Sequence, residues 1–449
     1  MVSACFLLRL ELSDIRQRRI KNGEVIVQSY FIHATNAAVE SFNSRLESFR
    51  AKFRWESDLP LFHVSCSHNL RLIIPGFFFS VPINNTMKAK VLALYLPQYH
   101  PTPDNDLWWG EGFTEWTNVA KAKKLYRNHY QPRIPANLGF YDLRLSEVRE
   151  KQAEMAKRSG VTAFCYYHYW FGNGKQELER PFNEVVASGK PDFPFCVCWA
   201  NHSWSLKLWN KDGTSNNRLL CEQLYPGEQD NEQHFYSLLS AFKDSRYLKY
   251  KGKLLFVVYS PLTFHHCTEF MNQWNDLAKA NGLEGFHFVG FCLNPKSPNE
   301  IDTIRQLGFD AVNILRMSNF QYQKKSIWSQ CFNYISHQLL NRPYINDYAK
   351  ILNKFVGKED LRNDVYPSII PNWDHTPRSG RGGYLYENCE PELFEKHCRM
   401  VIEEVKDKPE EDKIIFLKSW NEWGEGNYME PDLRYGFGYI DALKRALTE

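Results

Sequence analysis

The sequence has no apolar run long enough to cross a lipid bilayer. A membrane-spanning helix needs about 20 consecutive apolar residues, and the run Leu72–Phe79 is far shorter. The N-terminus does not resemble a signal peptide, because Arg9, Glu11 and Asp14 interrupt its short apolar stretch. These absences predict a soluble, cytoplasmic protein that does not insert stably into membranes.

An excess of either charge is also absent, since 55 Lys and Arg stand against 52 Asp and Glu, for a net charge of +3. This balance argues against a dedicated nucleic-acid-binding protein. The 11 cysteines are odd in number and lack disulfide or zinc spacing. The closest pair, Cys196 and Cys198, lies along an apparent strand. We expect reduced thiols, no metal and no other cofactor.

Aromatic residues, in contrast, are abundant and make up 15% of the chain. This abundance suits either a sugar-binding protein or a large aromatic core. A length of 449 residues allows one large domain and a smaller piece.

Downstream of Met87, strand-like apolar runs alternate with helix-like segments. Most runs are nearly continuously apolar, as expected for parallel strands covered on both faces. The eight predicted strands are 91–96, 162–167, 195–199, 254–259, 286–291, 311–314, 368–370 and 414–417. The helical patterns between them include 146–159, 232–242, 268–280 and 391–405. Ser146 is the predicted N-cap of the first helix, and Gly160 its end.

This alternation predicts a (β/α)8 barrel of the TIM type with long loops, and a doubly wound open sheet is the alternative. In such a barrel the chemistry gathers where strands end, because those loops form one face. Polar and aromatic residues follow five predicted strands, at 98–100, 168–170, 199–202, 372–374 and 421–422.

Residues 1–86 lack this alternation and are predicted to form an N-terminal extension. Residues 34–58 resemble the C-terminal end of insertion-element transposases with an acidic catalytic triad, whose last acidic residue corresponds to Glu40. The two earlier aspartates of that family are missing, and one carboxylate cannot hold a metal pair. We interpret the segment as a fused remnant, with Met87 as the ancestral start and an ordinary helical extension as the alternative.

The most informative stretch is Ser419–Gly426, which follows the last predicted strand. It carries two carboxylates three residues apart, Glu422 and Glu425, beside Trp420 and Trp423. Residues at this spacing on a helical turn lie roughly 5–6 Å apart at Cβ, and retaining glycosidases hold their carboxyl groups about 5–5.5 Å apart. Tryptophan rings offer flat apolar faces on which sugars stack. The stretch therefore predicts a carbohydrate-active site.

Four blocks of sequence match one family. The blocks are Leu94–His100 with Trp108–Asn118, Phe164–Phe171 with Trp199–Asn201, Trp373–Arg378, and Trp420–Gly426. Together they resemble the WbsX-type polysaccharide-biosynthesis proteins, which carry a domain similar to glycoside hydrolase family 99. The resemblance spans residues 88–446 and implies a metal-independent, retaining endo-α-mannosidase chemistry on a (β/α)8 barrel.

The family 99 signature Asn-Glu-Trp-His-Glu-Gly is matched except that Gly424 replaces the histidine. The resemblance implies that Glu422 deprotonates the sugar's 2-hydroxyl, which attacks C1 to give a 1,2-anhydro intermediate. It also implies that Glu425 protonates the leaving oxygen and then activates the water that opens the epoxide. Two close carboxylates push their pKa values apart, which supplies one ionised and one protonated group. The missing imidazole leaves the substrate and the reaction type open.

Further candidates for substrate binding lie in the same blocks and loops. They are Tyr99, His100, Tyr167, His168, Trp170, Trp199, Asn201, Trp373, Asp374, Arg378, Asn421, Trp423 and Glu430. Core positions are the alternative for several of them, and Asp374 with Arg378 could instead form a loop clasp. Asp104–Asp106 matches the Asp-x-Asp metal motif of many glycosyltransferases, but it lies in a Pro-rich loop without a nucleotide-binding context. Thr114–Trp116 is interpreted as structural.

The sequence therefore predicts an enzyme of O-antigen or capsule metabolism that cleaves or transfers α-linked, mannose-like glycans. Its expected partner is an oligosaccharide or polysaccharide substrate. A sugar-nucleotide-dependent glycosyltransferase of lipopolysaccharide biosynthesis is the first alternative, and a catalytically inactive glycan-binding protein is the second. The sugar, the linkage and the oligomeric state stay open.

Overall fold

The computed structural model describes residues 64–67, 69–74, 77–81, 87–209, 215–293, 295, 299–317, 335 and 342–449. The chain divides into two compact units, Met1–Thr86 and Met87–Glu449. In the first unit an antiparallel sheet has the order β1 (Val64–Ser67), β2 (Asn69–Ile74) and β3 (Phe77–Val81). These strands were not predicted. The transposase-like segment 34–58, with Glu40, lies outside the described residues.

Eight parallel strands of the second unit form a closed barrel. They are β4 (Lys90–Tyr95), β5 (Ala163–Gly172), β7 (Phe195–Trp199), β11 (Lys253–Val258), β12 (Phe286–Leu293), β13 (Ala311–Leu315), β15 (Val365–Ile369) and β17 (Ile414–Leu417). Each strand pairs with the next in this order, and β17 pairs with β4. The predicted (β/α)8 barrel is confirmed, and the open-sheet alternative fails because the ring of pairings closes.

Every predicted strand corresponds to a barrel strand. The predictions 195–199 and 414–417 have the observed bounds. The prediction 368–370 misses the first half of β15, where Pro367 interrupts the apolar pattern but still pairs in register with Ile314. The apolar runs therefore predicted which strands exist, but they predicted less accurately where each strand begins and ends.

The helices lie between the strands. They are α1 (Pro103–Trp109), α2 (Glu115–Lys121), α3 (Ser146–Ser159), α4 (Arg180–Ser188), α5 (Glu228–Phe242), α6 (Cys267–Ala280), α7 (Asn299–Gln306), α8 (Tyr348–Ile351), α9 (Thr376–Ser379), α10 (Pro391–Val405) and α11 (Gly438–Thr448). The predicted N-cap Ser146 is wrong by one residue, because Leu145 occupies that position. Gly160 ends α3 at a φ of 90°, a left-handed conformation that favours glycine. Among these described helices, none combines the length and apolarity that a membrane crossing requires.

Short strands extend the loops of the barrel. They are β6 (Lys175–Glu177), β8 (Trp204–Trp209), β9 (Ser215–Cys221), β10 (Lys249–Tyr250), β14 (Tyr344–Asp347), β16 (Tyr384–Glu387), β18 (Asn421–Glu422) and β19 (Asn427–Tyr428). The pairs β8–β9 and β18–β19 are antiparallel, whereas β14 and β16 run parallel. The long loops predicted for this barrel thus carry local structure of their own.

Side chains fill the barrel interior. Phe416 on β17 contacts Phe291 on β12 with ring centroids 5.5 Å apart, although these strands are not neighbours in the sheet. Such a contact requires both rings to point inward. The residue two positions after Phe416 therefore shares this inward face, because side chains alternate along a strand.

Candidate active site

The two predicted catalytic carboxylates lie beyond the C-terminal end of β17, the end at which TIM barrels carry their active sites. Glu422 ends β18, and Glu425 ends a 3₁₀ turn over Trp423–Glu425. Side chains three residues apart on a 3₁₀ turn eclipse each other. Glu422 and Glu425 consequently project to the same side, and their carboxyl groups share a hydrogen bond.

A buried lysine bridges the pair. Lys418 lies two residues after Phe416 and therefore points into the barrel, where its side chain is only 4% exposed. Its ammonium group donates to the carboxylate of Glu422 and lies 3.7 Å from Oε2 of Glu425. It also donates to the hydroxyl of Tyr167 at 3.2 Å. Lys418 thus supplies positive charge to both carboxyl groups from below.

Arg378 contacts the pair from a second direction. Its Nη1 donates to Oε1 of Glu425, while Nε and Nη2 donate to the two oxygens of Glu115 at 3.1 and 2.6 Å. Arg378 lies on α9 and Glu115 on α2, so this bidentate pair ties two loops to the site. The nearby His375 has its Nε2 3.9 Å from Oε1 of Glu425.

The surrounding charges separate the ionisation of the two glutamates. Burial raises the pKa of Glu422 well above its usual range, and Lys418 only partly offsets that effect. Burial opposes ionisation of Glu425 too, but Arg378 and Lys418 outweigh it and lower the pKa of Glu425. These opposite shifts favour a state near neutral pH in which the pair holds one proton, carried by Glu422.

This proton distribution differs from the roles implied by the family resemblance. Those roles need Glu422 ionised, to accept the proton of the sugar hydroxyl, and Glu425 protonated, to donate to the leaving oxygen. The structure favours the opposite arrangement, because Glu425 has two cationic neighbours in contact and Glu422 has one.

Tyr99 and Asn421 hold the loop that carries Glu422 and Glu425 against β4. The hydroxyl of Tyr99 donates to the carbonyl of Asn421 and accepts from the backbone N–H of Trp423 at 3.1 Å. The side-chain amide of Asn421 accepts from the N–H of Leu96 at 2.8 Å and donates to its carbonyl at 3.0 Å. Both residues are completely buried. They position the loop, which corrects their predicted role in substrate binding.

Glu430 supports the loop from beneath. Its Oε2 accepts from the indole N–H of Trp423 at 2.6 Å and from the hydroxyl of Tyr141 at 2.9 Å. Its Oε1 accepts from Gln152 at 2.6 Å. Burial raises the pKa of Glu430 to about 7. With these three donors on a fully buried carboxyl, Glu430 is a scaffold residue and not the predicted substrate contact.

The tryptophans of the motif are not available as sugar platforms. Trp423 is 1% exposed and stacks on Tyr428 with centroids 3.8 Å apart. Trp420 is fully buried and packs on Phe164 at 5.5 Å. The prediction that these rings stack on sugars is corrected, because both rings are buried beneath the loop.

The residues of β5 divide between the two faces of the barrel wall. Tyr167 faces inward, at the carboxyl pair. His168 and Trp170 face α5, where His168 Nε2 lies 2.9 Å from the Nε2 of His234 and Trp170 donates to Asp230 at 3.0 Å. Burial lowers the pKa of His168 to about 3, so this imidazole is uncharged. His168 and Trp170 are core residues and do not reach the cleft as predicted.

Trp199, Asn201 and His100 also belong to the scaffold. Trp199 donates its indole N–H to a backbone carbonyl of β5 at 2.9 Å. The amide of Asn201 accepts from the N–H of Ser260 at 2.8 Å and donates to its carbonyl at 3.1 Å. His100 is buried, with Nδ1 3.2 Å from the carbonyl of Pro97. Their contacts show loop closure and core packing in place of the predicted sugar contacts.

Asp374 forms a clasp, although not with Arg378. Its Oδ2 accepts from His129 Nε2 and from Gln131 Nε2, both at 2.8 Å, and its Oδ1 accepts from the N–H and hydroxyl of Thr376 at 3.0 and 2.6 Å. Burial opposes ionisation, but the bond from His129 and the charge of Arg133 lower the pKa of Asp374. Its carboxylate is fully used within the chain.

Trp373 is buried beside the clasp. Its ring lies 5.8 Å from His375, nearly parallel, and 5.5 Å from Tyr384. These rings flank Glu425, whose carboxylate interacts with His375 and Tyr384. Of the predicted substrate-binding residues, the structure thus brings Tyr167 and Arg378 into contact with the pair and Trp373 to its edge.

Sequence reasoning missed Lys418 and underrated Glu115. Lys418 gave a signal, since it is a charged residue on the inward face at the end of an apolar strand. Glu115 lies in a matching block but carried no sign that its partner was 263 positions away. Tyr169 and Tyr259, whose pKa values the charge of Glu422 helps to raise, were also missed as parts of the cleft wall.

The Asp-x-Asp motif has local partners in the structure. Asp104 pairs with Lys175 of β6, and Asp106 accepts from the N–H of Gly112 at 2.9 Å. Across the described residues, no group of three or more His, Cys, Asp or Glu side chains is arranged to hold a metal ion.

Comparison with known sequences identifies relatives over most of the second unit. Residues 91–443 match the family described as Glycosyltransferase WbsX. Two curated relatives, both named Uncharacterized protein WxcX and both from Xanthomonas campestris pv. campestris, are 32% identical over 374 residues and 33% identical over 368. The alignments cover 82% and 81% of this chain but 51% and 50% of the relatives. The chain therefore spans about half the length of the curated relatives it matches.

A solved structure shares the fold. One described as a Glycoside hydrolase-like protein has a TM-score of 0.51 at 15% identity, covering 89% of this chain and 99% of its own. The GH99 endo-alpha-mannosidase from Bacteroides thetaiotaomicron, in complex with bis-tris propane, has a TM-score of 0.46 at 16% identity, covering 80% and 95%. At such identities the first likeness establishes a common barrel architecture.

Proposed function

The chain belongs to the WbsX family, and we propose that it is a carbohydrate-active enzyme of surface-polysaccharide metabolism. It cleaves or transfers α-linked, mannose-like glycans, with Glu422 and Glu425 as the reacting groups. The observation that carries this proposal is the buried carboxyl pair at the C-terminal end of the barrel, which Lys418 bridges and whose two pKa values are shifted apart. A perturbed pair of this kind is typical of catalytic sites.

The proton count fits a retaining glycosidase. One carboxyl group protonates the oxygen of the leaving sugar, while the other, ionised, accepts the proton of the attacking 2-hydroxyl as its oxygen bonds to C1. The glycosidic bond breaks as the new C1–O bond forms. Water then opens the three-membered ring by attacking C1, and its proton goes to the carboxylate that had acted as the acid. The other carboxyl group returns its proton to O2 of the sugar as the C1–O2 bond breaks. The pair ends the cycle with one proton, as it began.

The assignment of acid and base within the pair can be tested separately. A substrate with a good leaving group, such as an aryl glycoside, needs no protonation of the departing oxygen. The variant that lacks the acid should therefore retain turnover of the aryl substrate while losing turnover of the natural linkage. Retention in E425Q supports the roles implied by the resemblance, whereas retention in E422Q supports the roles that the free chain's proton distribution favours.

A sugar-nucleotide-dependent glycosyltransferase remains the second candidate, because the matching family carries that description. A purely glycan-binding protein is the third candidate, and the replacement of the family histidine by Gly424 is the reason to consider it. Burying two carboxyl groups beside two cations is costly, and binding alone gives no reason for it. The intact pair therefore favours an enzyme.

The deciding experiment incubates the full chain with free and lipid-linked α-mannose oligosaccharides, with and without a panel of sugar nucleotides. Mass spectrometry reads the product lengths. We expect shortened or redistributed chains without any donor, reduced roughly 10²–10⁴-fold in E422Q and E425Q. The E184Q variant, which removes the carboxylate of a distant pair with Arg149, serves as the control. Chains lengthened only with a donor would replace the proposal by the glycosyltransferase.

A further inference from the structure

Gly424 is small because Glu115 occupies the adjoining space. A Cβ placed on Gly424 would lie 2.5 Å from Cδ of Glu115 and would overlap its carboxylate, whereas carbon atoms in contact are about 3.5–4.0 Å apart. Glu115 has little freedom to move away. It is 1% exposed and accepts from Asn118 at 3.2 Å in addition to its two bonds with Arg378. The two positions therefore fit each other.

Arg378 lies between two carboxylates. One edge of its planar guanidinium pairs with both oxygens of Glu115, which fixes the plane and direction of the group. The remaining nitrogen, Nη1, is thereby aimed at Glu425. The Arg378 side chain is 28% exposed, so water competes for its donors. The bidentate bond is what selects this orientation.

We propose that Glu115 is a positioning residue of the catalytic site, which holds the guanidinium of Arg378 against Glu425 across the space that Gly424 leaves open. Its kinetic consequence rests on the proposed function, whereas its effect on the charge of Glu425 does not.

The ionisation of Glu425 depends on groups from several elements. Those that face it are Arg378 and His375 at α9, Lys418 and Glu422 after β17, Tyr259 after β11, Tyr384 on β16 and, through Arg378, Glu115 on α2. Removing the negative charge of Glu115 alone would favour ionised Glu425 and lower its pKa. Releasing Arg378 would have the opposite effect. The sign of the change therefore distinguishes positioning from simple charge removal.

The test follows the titration of Glu425 by carbon NMR in the full chain labelled at the glutamate carboxyl carbons, with E425Q to assign the signal. In the isosteric E115Q variant an amide N–H₂ replaces one acceptor, so only one of the two bonds to Arg378 can persist. We expect the pKa of Glu425 to rise by about 1 to 3 pH units, the effect of losing a nearby opposite charge. G424A, which displaces Glu115 without removing its charge, should shift it in the same direction.

R378Q shows the shift that complete loss of the guanidinium causes. Adding E115Q to R378Q should not raise the pKa of Glu425 any further, because Glu115 acts through Arg378. E184Q, which alters a remote Arg–Glu pair, should leave the Glu425 signal in place. An unchanged or lowered pKa of Glu425 in E115Q would overturn the proposal. If wild type shows no turnover of any glycan, the proposed function fails while this titration still decides the role of Glu115.

Discussion

Replacement of Glu430 by glutamine should remove a pH-dependent loss of stability. Burial raises the pKa of Glu430 from an ordinary 4.5 to about 7 in the folded chain. The folded state therefore keeps a proton over a pH range in which the unfolded chain has lost it. The stability that this group contributes is fully present below the unfolded pKa and is lost as the pH rises through the folded value.

The size of the effect follows from the two pKa values. One pKa unit corresponds to about 1.4 kcal/mol. Integrating the proton-binding difference from about pH 5 to about pH 8 gives a loss of about 2.5 kcal/mol in the free energy of unfolding. Glutamine does not titrate, so the difference in unfolding free energy between these two pH values should shrink by this amount in E430Q.

Urea unfolding of the full chain at the two pH values measures this difference. The comparison between wild type and E430Q uses the change of the unfolding free energy with pH. It does not use the absolute stability, because the amide also changes the bonds to Trp423 and Gln152. E269Q, which removes an exposed carboxylate from α6, controls for the loss of surface charge. Equal pH dependence in wild type and E430Q would refute the argument that Glu430 is buried and protonated beneath the loop.

Two further substitutions test the supports of the site. Tyr99→Phe leaves the carbonyl of Asn421 and the N–H of Trp423 without their buried partner and should destabilise the chain by about 1–3 kcal/mol in chemical denaturation, while the exposed Tyr236→Phe changes it little. Asp374→Asn removes a buried charge that accepts four bonds and should cost about 3–5 kcal/mol near neutral pH. Because the pKa of Asp374 is lowered, its stabilisation is present above the unfolded pKa and lost as the pH falls. A cost that did not diminish in acid would contradict this assignment.

The barrel could be predicted because its signal is local. Parallel strands covered on both faces are apolar along their whole length, and all ten residues of β5 are buried. Strand order then follows from chain order in a (β/α)8 barrel. The hairpin β8–β9 and the parallel pair β14–β16 were not predicted, because their pairing is set by the loops they occupy and not by burial in the barrel.

The closeness of Glu422 and Glu425 could also be predicted from the sequence, but their surroundings could be predicted only in part. Glu422 and Glu425 are three residues apart, so their proximity follows from a single turn. The contact between Arg378 and Glu115 joins positions from separate loops, and no local pattern encodes it. The prediction that His168 contacts substrate was wrong because the alternation of side chains along β5 places it on the outer face of the barrel wall. When every residue of a strand is buried, the sequence does not show which residues point inward and which point outward.

The orientation of the tryptophans was misjudged for a related reason. A tryptophan in such a motif can stack on a sugar or can be buried beneath the loop, and the sequence is the same in both cases. In the structure Trp423 is held from below by Glu430 and from the side by Tyr428, which leaves no free face for a sugar. The aromatic residues that do lie near the carboxyl pair include Tyr167, which accepts from Lys418, and Tyr259, whose pKa the charge of Glu422 helps to raise.

The most direct test of the carboxyl pair as a retaining catalytic unit is the anomeric configuration of the first product. Proton NMR would follow the anomeric signals of an α-linked mannose oligosaccharide from the earliest times after addition of the full chain. The account predicts that the α-anomer forms first and mutarotates later, and that neither E422Q nor E425Q releases it at the wild-type rate. Initial formation of the β-anomer, or wild-type rates in both variants, would contradict the assignment of Glu422 and Glu425 as a retaining pair.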